Sequence, residues 1–228
     1  MRILLAFLII CINYNDLSAE MRIVASTPQI KVAVIDTGLE TKYMDQVPLC
    51  ESGHKDFTKE GLTDTHGHGT NVVGLIVKNS NISGYCVVLI KAYGFKNKTE
   101  VQYMREAIEY ADKIGANVLN ISGGGLGFSK LEYEAIKRLL DRGATIVAAA
   151  GNESLDLDKE CNYYPACYDK RIYVVGSMSE DSNHGKIVDI KIDGAKKTAF
   201  GKTFSGTSQS TAQFTGLMLN IALSKKKK

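Results

Sequence analysis

The sequence predicts an α/β protein: a three-layer, doubly wound, mainly parallel sheet with helices on both faces. Three observations lead there. Short apolar, β-branched runs recur at 30–35, 87–92, 117–121, 145–149 and 172–176, and their unbroken apolarity marks strands buried on both sides. Amphipathic helical patterns separate them, and strands alternating with helices imply a parallel sheet whose ligand sites lie at the strands' carboxyl ends. Finally, 228 residues at 44% hydrophobic composition suit one well-packed domain, and no linker or internal repeat divides it.

Taken in order, Met1-Arg2, the apolar run Ile3 to Ile12 and the small-residue exit Leu17-Ser18-Ala19 have the layout of a secretory signal peptide. We expect cleavage after Ala19, with an uncleaved anchor as the alternative. A lipoprotein reading of Cys11 is disfavoured by bulky Ile10. Residues 1–19 are thus assigned as signal, 20–224 as the folded domain and 225–228 as a solvated lysine tail. With no second long apolar stretch, the mature chain is expected to be secreted without stable membrane insertion.

The first strand, Ile30 to Ile35, runs into Asp36-Thr37-Gly38. A helix follows from His68 to Val77. Thr99 with Gln102 reads as the start of the next, with Val101, Met104, Ile108 and Ala111 on one face and Gly115 closing it. Ser129 with Glu132 opens a third, carrying Leu131, Ala135, Ile136 and Leu139 before Gly143. Thr207 to Leu219 is the last.

The formal charge is +3, but four terminal lysines carry it. The body is near neutral, so no electrostatic footprint for nucleic acid is expected. Loss of the signal leaves Cys50, Cys86, Cys161 and Cys167, an even number suited to disulfides in an oxidising compartment. Cys161 and Cys167 enclose a short Pro-containing loop and are the pair to expect, leaving Cys50 with Cys86; free buried thiols are the alternative.

Four short motifs carry chemistry: Ile35-Asp36-Thr37-Gly38, His66-Gly67-His68-Gly69-Thr70, Ala150-Gly151-Asn152 and Gly206-Thr207-Ser208-Gln209. Singly, each has an ordinary reading: a strand-ending turn, a metal-ligating pair with Asp64, a turn cap and a helix N-cap. Asp36-Thr37-Gly38 could also be half of an aspartic dyad, which would need a second such motif or a dimer. Together, in the order Asp, His, Asn, Ser, they resemble the subtilisin-like (subtilase) serine proteases from about Val32 to Asn220.

The resemblance implies Ser208 as nucleophile, His68 as general base, Asp36 as the group that orients the imidazole, and Asn152 as an oxyanion donor beside backbone N–H groups of the Ser208 helix. It implies a polypeptide substrate and no cofactor for the reaction; calcium sites are common in the family, but no Asp-rich loop marks one in this sequence. Ser122-Gly123-Gly124 resembles the edge on which an extended substrate lies; a flexible glycine loop is the alternative, and no Gly-Lys-Ser/Thr follows to make it a phosphate loop. Tyr163-Tyr164-Pro165-Ala166 resembles the wall of the primary specificity pocket, with Tyr163 where relatives carry a small residue, so small substrate residues are expected there.

Departures from the family are equally legible. Gly123 replaces a usual leucine, Asn71 a usual histidine for which a structural role is expected, and Ala212 a usual proline, so the last helix should run straight. The short interval from Ala19 to Ile30 leaves no room for a long propeptide, and the chain ends soon after the nucleophile's helix. A catalytic core trimmed at both ends, with a folding or completing partner, is the resulting expectation. The competing functions are a catalytically weak subtilase-like binding module and a metal hydrolase built on Asp64, His66 and His68.

Overall fold

A computed structural model describes residues 29–94 and 101–224. The predicted signal peptide, lysine tail and Thr99 cap therefore lie outside the described residues, as does the side chain of Val101. The elements are β1 (Ile30–Asp36), β2 (Lys55–Asp56), α1 (His68–Asn79), β3 (Tyr85–Lys91), α2 (Val101–Lys113), β4 (Val118–Ile121), β5 (Gly125–Leu126), α3 (Lys130–Asp141) and β6 (Thr145–Ala149). They continue as β7 (Tyr163–Tyr164), β8 (Tyr173–Ser177), β9 (Ile190–Ile192), β10 (Lys197–Ala199), β11 (Lys202–Phe204) and α4 (Thr207–Ser224).

Seven strands form one sheet in the order β2-β3-β1-β4-β6-β8-β9, and every pair in it is parallel. Each of the five predicted runs supplies one of these strands, shifted by at most two residues. Successive side chains of β1 point to opposite faces. Val32 and Val34 pack with Val72, Val73, Ile76 and Leu219 of α1 and α4. Ala33 and Ile35 pack with Ile108, Ile136 and Leu139 of α2 and α3. This is the predicted three-layer architecture. Each buried Val or Ile contributes roughly 1.5–3 kcal/mol by leaving water.

The chain passes from β1 to β3 on one side and then to β4 on the other, so strand order reverses between β1 and β4. Such a reversal opens a crevice at the carboxyl ends of the two strands. Asp36 ends β1 and Ser122 directly follows β4.

Helix α3 corrects one expectation. Leu131 is 49% exposed while Glu132 is only 7% exposed, so the buried stripe is Glu132, Ala135, Ile136, Leu139 and Leu140. Ser129 caps the helix as predicted, its side chain accepting from Glu132 N. The carboxylate of Glu132, however, accepts from Tyr168 Oη at 2.8 Å, and Tyr168 Oη accepts from Ser129 N at 3.1 Å. The tyrosine thus bridges the two residues of the expected capping box. Both disulfides form as read, Cys50–Cys86 and Cys161–Cys167. Helix α4 runs through Ala212 from Thr207 to Ser224. Among the described residues no helix is long and apolar enough to cross a membrane.

Candidate active site

His68 and Ser208 sit in the first turns of α1 and α4, two helices that pack side by side on one face of the sheet. Asn71 is fully buried between them. Its amide donates to Lys197 O and Lys202 O at 3.0 and 2.8 Å, and its carbonyl accepts from Gln209 Nε2 at 3.2 Å. Because Gln209 follows Ser208, this bond aligns the N-terminal ends of both helices. The predicted structural role of Asn71 is therefore the alignment of the helix starts that carry His68 and Ser208.

Asp36 Oδ1 lies 2.8 Å from His68 Nδ1 and also accepts from Thr37 N at 2.8 Å. The Thr37 hydroxyl in turn accepts from Gly69 N at 2.8 Å, tying the end of β1 to the start of α1. Among the described residues, buried Asp36 Oδ2 has no hydrogen-bond partner. Burial alone would lower the pKa of His68. The charge of Asp36, its hydrogen bond and the more distant charge of Asp64 outweigh burial and hold it above the ordinary 6.5.

Asp64 is not poised as a metal ligand. Its two oxygens accept from His66 N, Gly67 N, Thr70 N and Thr70 Oγ1, all within 2.9 Å. The carboxylate organises the turn that presents His68, and among the described residues no cluster of His, Cys, Asp or Glu could hold a metal ion.

The Ser208 hydroxyl donates to Ser122 O at 2.6 Å. Ser122 Oγ donates to Ser208 O at 3.3 Å, and it accepts from buried Asn120 Nδ2 at 3.0 Å. Asn120 is held from beneath by Thr215 Oγ1 at 2.8 Å. Asn152 Oδ1 accepts from Thr207 N at 2.9 Å, which fixes the amide plane and leaves the two N–H donors of Nδ2 on the other side, in an exposed position beside the start of α4. Asn183 is fully buried beneath that loop. It donates to Ala150 O and Glu153 Oε2 and accepts from Glu153 N and Leu155 N.

Gly151 has φ +100°, a backbone region that side chains rarely adopt. A Cβ there would also stand 2.6 Å from Tyr163 Cζ, and a Cβ on Gly124 would stand 2.7 Å from Tyr163 Cε1. The Tyr163 ring therefore fills the gap between the two glycines. A Cβ on Gly123 would meet Tyr93 Oη at 2.2 Å, so the tyrosine occupies the space that the usual leucine side chain would need.

The predicted residues therefore fall in one crevice: Asp36 with His68, Ser208 with Ser122, Asn152 one hydrogen bond from Thr207, and Gly124 against Tyr163. Sequence reading missed Asn120, Asn183 and Tyr93. The first left a signal, an asparagine inside an apolar strand; the other two left none.

This arrangement on a doubly wound parallel sheet defines the subtilisin-like class of α/β proteins. Residues 27–227 match the profile of the subtilase family, Peptidase_S8, and the chain belongs to that family of serine-type endopeptidases. It is 30% identical to the major intracellular serine protease of Bacillus subtilis (strain 168), covering 84% of this chain and 68% of that protein. It is 28% identical to thermitase of Thermoactinomyces vulgaris, covering 82% and 72%. With subtilisin DY of Bacillus licheniformis the identity is 29%, and the match spans 61% of that protein. The crystal structure of a cold-adapted subtilisin-like serine proteinase superposes with a TM-score of 0.72 at 25% identity, over 86% of this chain and 75% of the other. A lanthipeptide protease shares the fold with a TM-score of 0.74 at 19% identity.

Proposed function

We propose that this chain is a secreted endopeptidase that hydrolyses peptide bonds through Asp36, His68 and Ser208. The observation that carries the reading is the 2.8 Å hydrogen bond that Asp36 Oδ1 accepts from His68 Nδ1, beside a serine whose helix packs against that of the histidine. A hydrogen bond at Nδ1 leaves Nε2 as the basic nitrogen. An extended substrate lying along Ser122–Gly124 offers a backbone N–H to Ser122 O, the acceptor that now holds the Ser208 hydroxyl. That competition frees the hydroxyl to turn toward His68 Nε2.

Ser208 Oγ then attacks the scissile carbonyl as its proton passes to His68. The negative oxygen is met by the Asn152 amide and the N–H groups at the start of α4. His68 returns the proton to the leaving amine, and water attacks the acyl-enzyme with His68 again as base. Asp36 stabilises the imidazolium at each step. The Tyr163 ring between Gly124 and Gly151 confines the residue on the acyl side of the cut to small side chains.

Two disulfides support an oxidising compartment, and so does the signal-like N-terminus. The test is active-site labelling with a fluorophosphonate. The mature chain should label and hydrolyse an unstructured polypeptide, and Ser208→Ala should abolish both. Labelling that survives Ser208→Ala, or no labelling of the folded wild type, rejects the assignment and leaves a binding module.

A further inference from the structure

The two disulfides sit in unlike surroundings. Cys50 and Cys86 join positions 36 residues apart in sequence, and both are buried, at 8% and 5% exposure. Cys161 and Cys167 are only 6 residues apart; Cys161 lies exposed at the surface and Cys167 is half-buried. The short ring that they close contains all of β7. With β7 comes Tyr163, whose aromatic ring fills the gap between Gly124 and Gly151.

The two halves of that segment are held differently. The C-terminal half is sunk in the core, with Ala166 fully buried and Tyr168 nearly so. There Cys167 N and Tyr168 N donate to Tyr163 O and Pro165 O at 2.9 and 3.0 Å. The N-terminal half arrives from the exposed stretch 158–161. Two ties fasten it: the Cys161 sulfur, and the pairing of β7 with β5 through Gly125↔Tyr164 and Leu126↔Tyr163.

We propose that Cys161–Cys167 is a thiol-exchange site, and that its reduction by a small-molecule thiol widens the range of side chains accepted at the cut. The inference rests on the reading of Tyr163 as the wall of the primary pocket. An incoming thiolate attacks the exposed Cys161 sulfur, since exchange depends on access to the sulfur attacked. A mixed disulfide forms at Cys161 as the bond to Cys167 breaks; the electron pair leaves on the Cys167 sulfur, which takes up a proton. A second thiol then releases Cys161 as a thiol. Two small thiols are thereby oxidised to one disulfide, and the protein bridge gains their two electrons. Once the bridge is open, the chain before Tyr163 regains its freedom, and a two-stranded ladder of this length is marginal by itself. The Tyr163 ring can then leave the gap between two glycines that carry no side chain to hold it. Asp36, His68 and Ser208 stand on β1, α1 and α4, outside the opened ring, and the buried Cys50–Cys86 bridge stays closed.

The experiment exposes the mature chain to graded reduced glutathione, traps free thiols with iodoacetamide and maps them by mass spectrometry. On the same samples kcat/KM is measured for paired peptides with Ala or Phe on the acyl side of the cut. Cys161 and Cys167 should be alkylated while Cys50 and Cys86 remain joined. The Phe-to-Ala ratio should rise by about tenfold, and oxidised glutathione should restore it. Fluorophosphonate labelling should persist throughout. Combining Cys161→Ser with Cys167→Ser should hold the ratio at its reduced value and make it indifferent to thiol; the wild-type series decides even if that variant does not fold. The proposal is overturned if neither bridge opens, if both open together, if reduction abolishes labelling, or if Cys161 and Cys167 open with the ratio unchanged. Labelling with an unchanged ratio sinks the exchange site alone, whereas no labelling of the oxidised chain sinks the peptidase reading and the exchange site with it.

Discussion

The two sides of the crevice are built in different ways. On one side Asp36, His68 and Ser208 stand at the ends of a central strand and two long helices, each fixed by backbone donors or a buried asparagine. On the other, Gly125 and Leu126 pair with Tyr163 and Tyr164 as two two-residue strands, next to Gly123 and Gly124, where aromatic rings pack in place of missing side chains. The comparison teaches where tolerance lies. The proposed chemistry rests on geometry that the whole fold enforces. The proposed selectivity rests on a few rings that one substitution can move.

The largest test of that contrast is Asp36→Asn. It should cut kcat by about 10⁴-fold. It should also move the pH profile. Since the charge of Asp36 raises the pKa of His68 above 6.5, the wild-type kcat/KM should rise with pH through a limb above that value. Removing the charge leaves burial, which acts the other way, so the limb should shift to lower pH. A limb that stays in place would detach Asp36 from the imidazole.

Asn152→Ala follows, with an expected loss of about 10²–10³ in kcat and little change in KM. Steady-state kinetics check it, and a loss confined to KM would make the amide a substrate anchor instead. Smallest is Tyr163→Ala. Phe-containing substrates should gain about tenfold relative to Ala-containing ones, while a thermal melt should report a loss of about 3–5 kcal/mol from the emptied ring site. Equal treatment of both substrates would show that the ring does not bound the pocket.

The same division explains what could be read from the sequence. Asp36, His68, Asn152 and Ser208 stood out because each lies beside glycines in a short motif, and the sheet was legible because buried parallel strands need continuous apolar runs. The helix face of α3 was misread. Leu131 fits the 3.6-residue pattern, yet Tyr168, 36 residues on, draws Glu132 inward and rotates the stripe by one position. Tyr93 against Gly123 is likewise invisible locally, because it joins the ends of two strands on either side of β1. Such contacts arise only once the sheet order is known.

Asn71 carries a last consequence. One amide ties together the helix bearing His68, the helix bearing Ser208 and the β10–β11 turn region. The register of the two proposed catalytic side chains is thus set by a single buried amide rather than by the sheet beneath them.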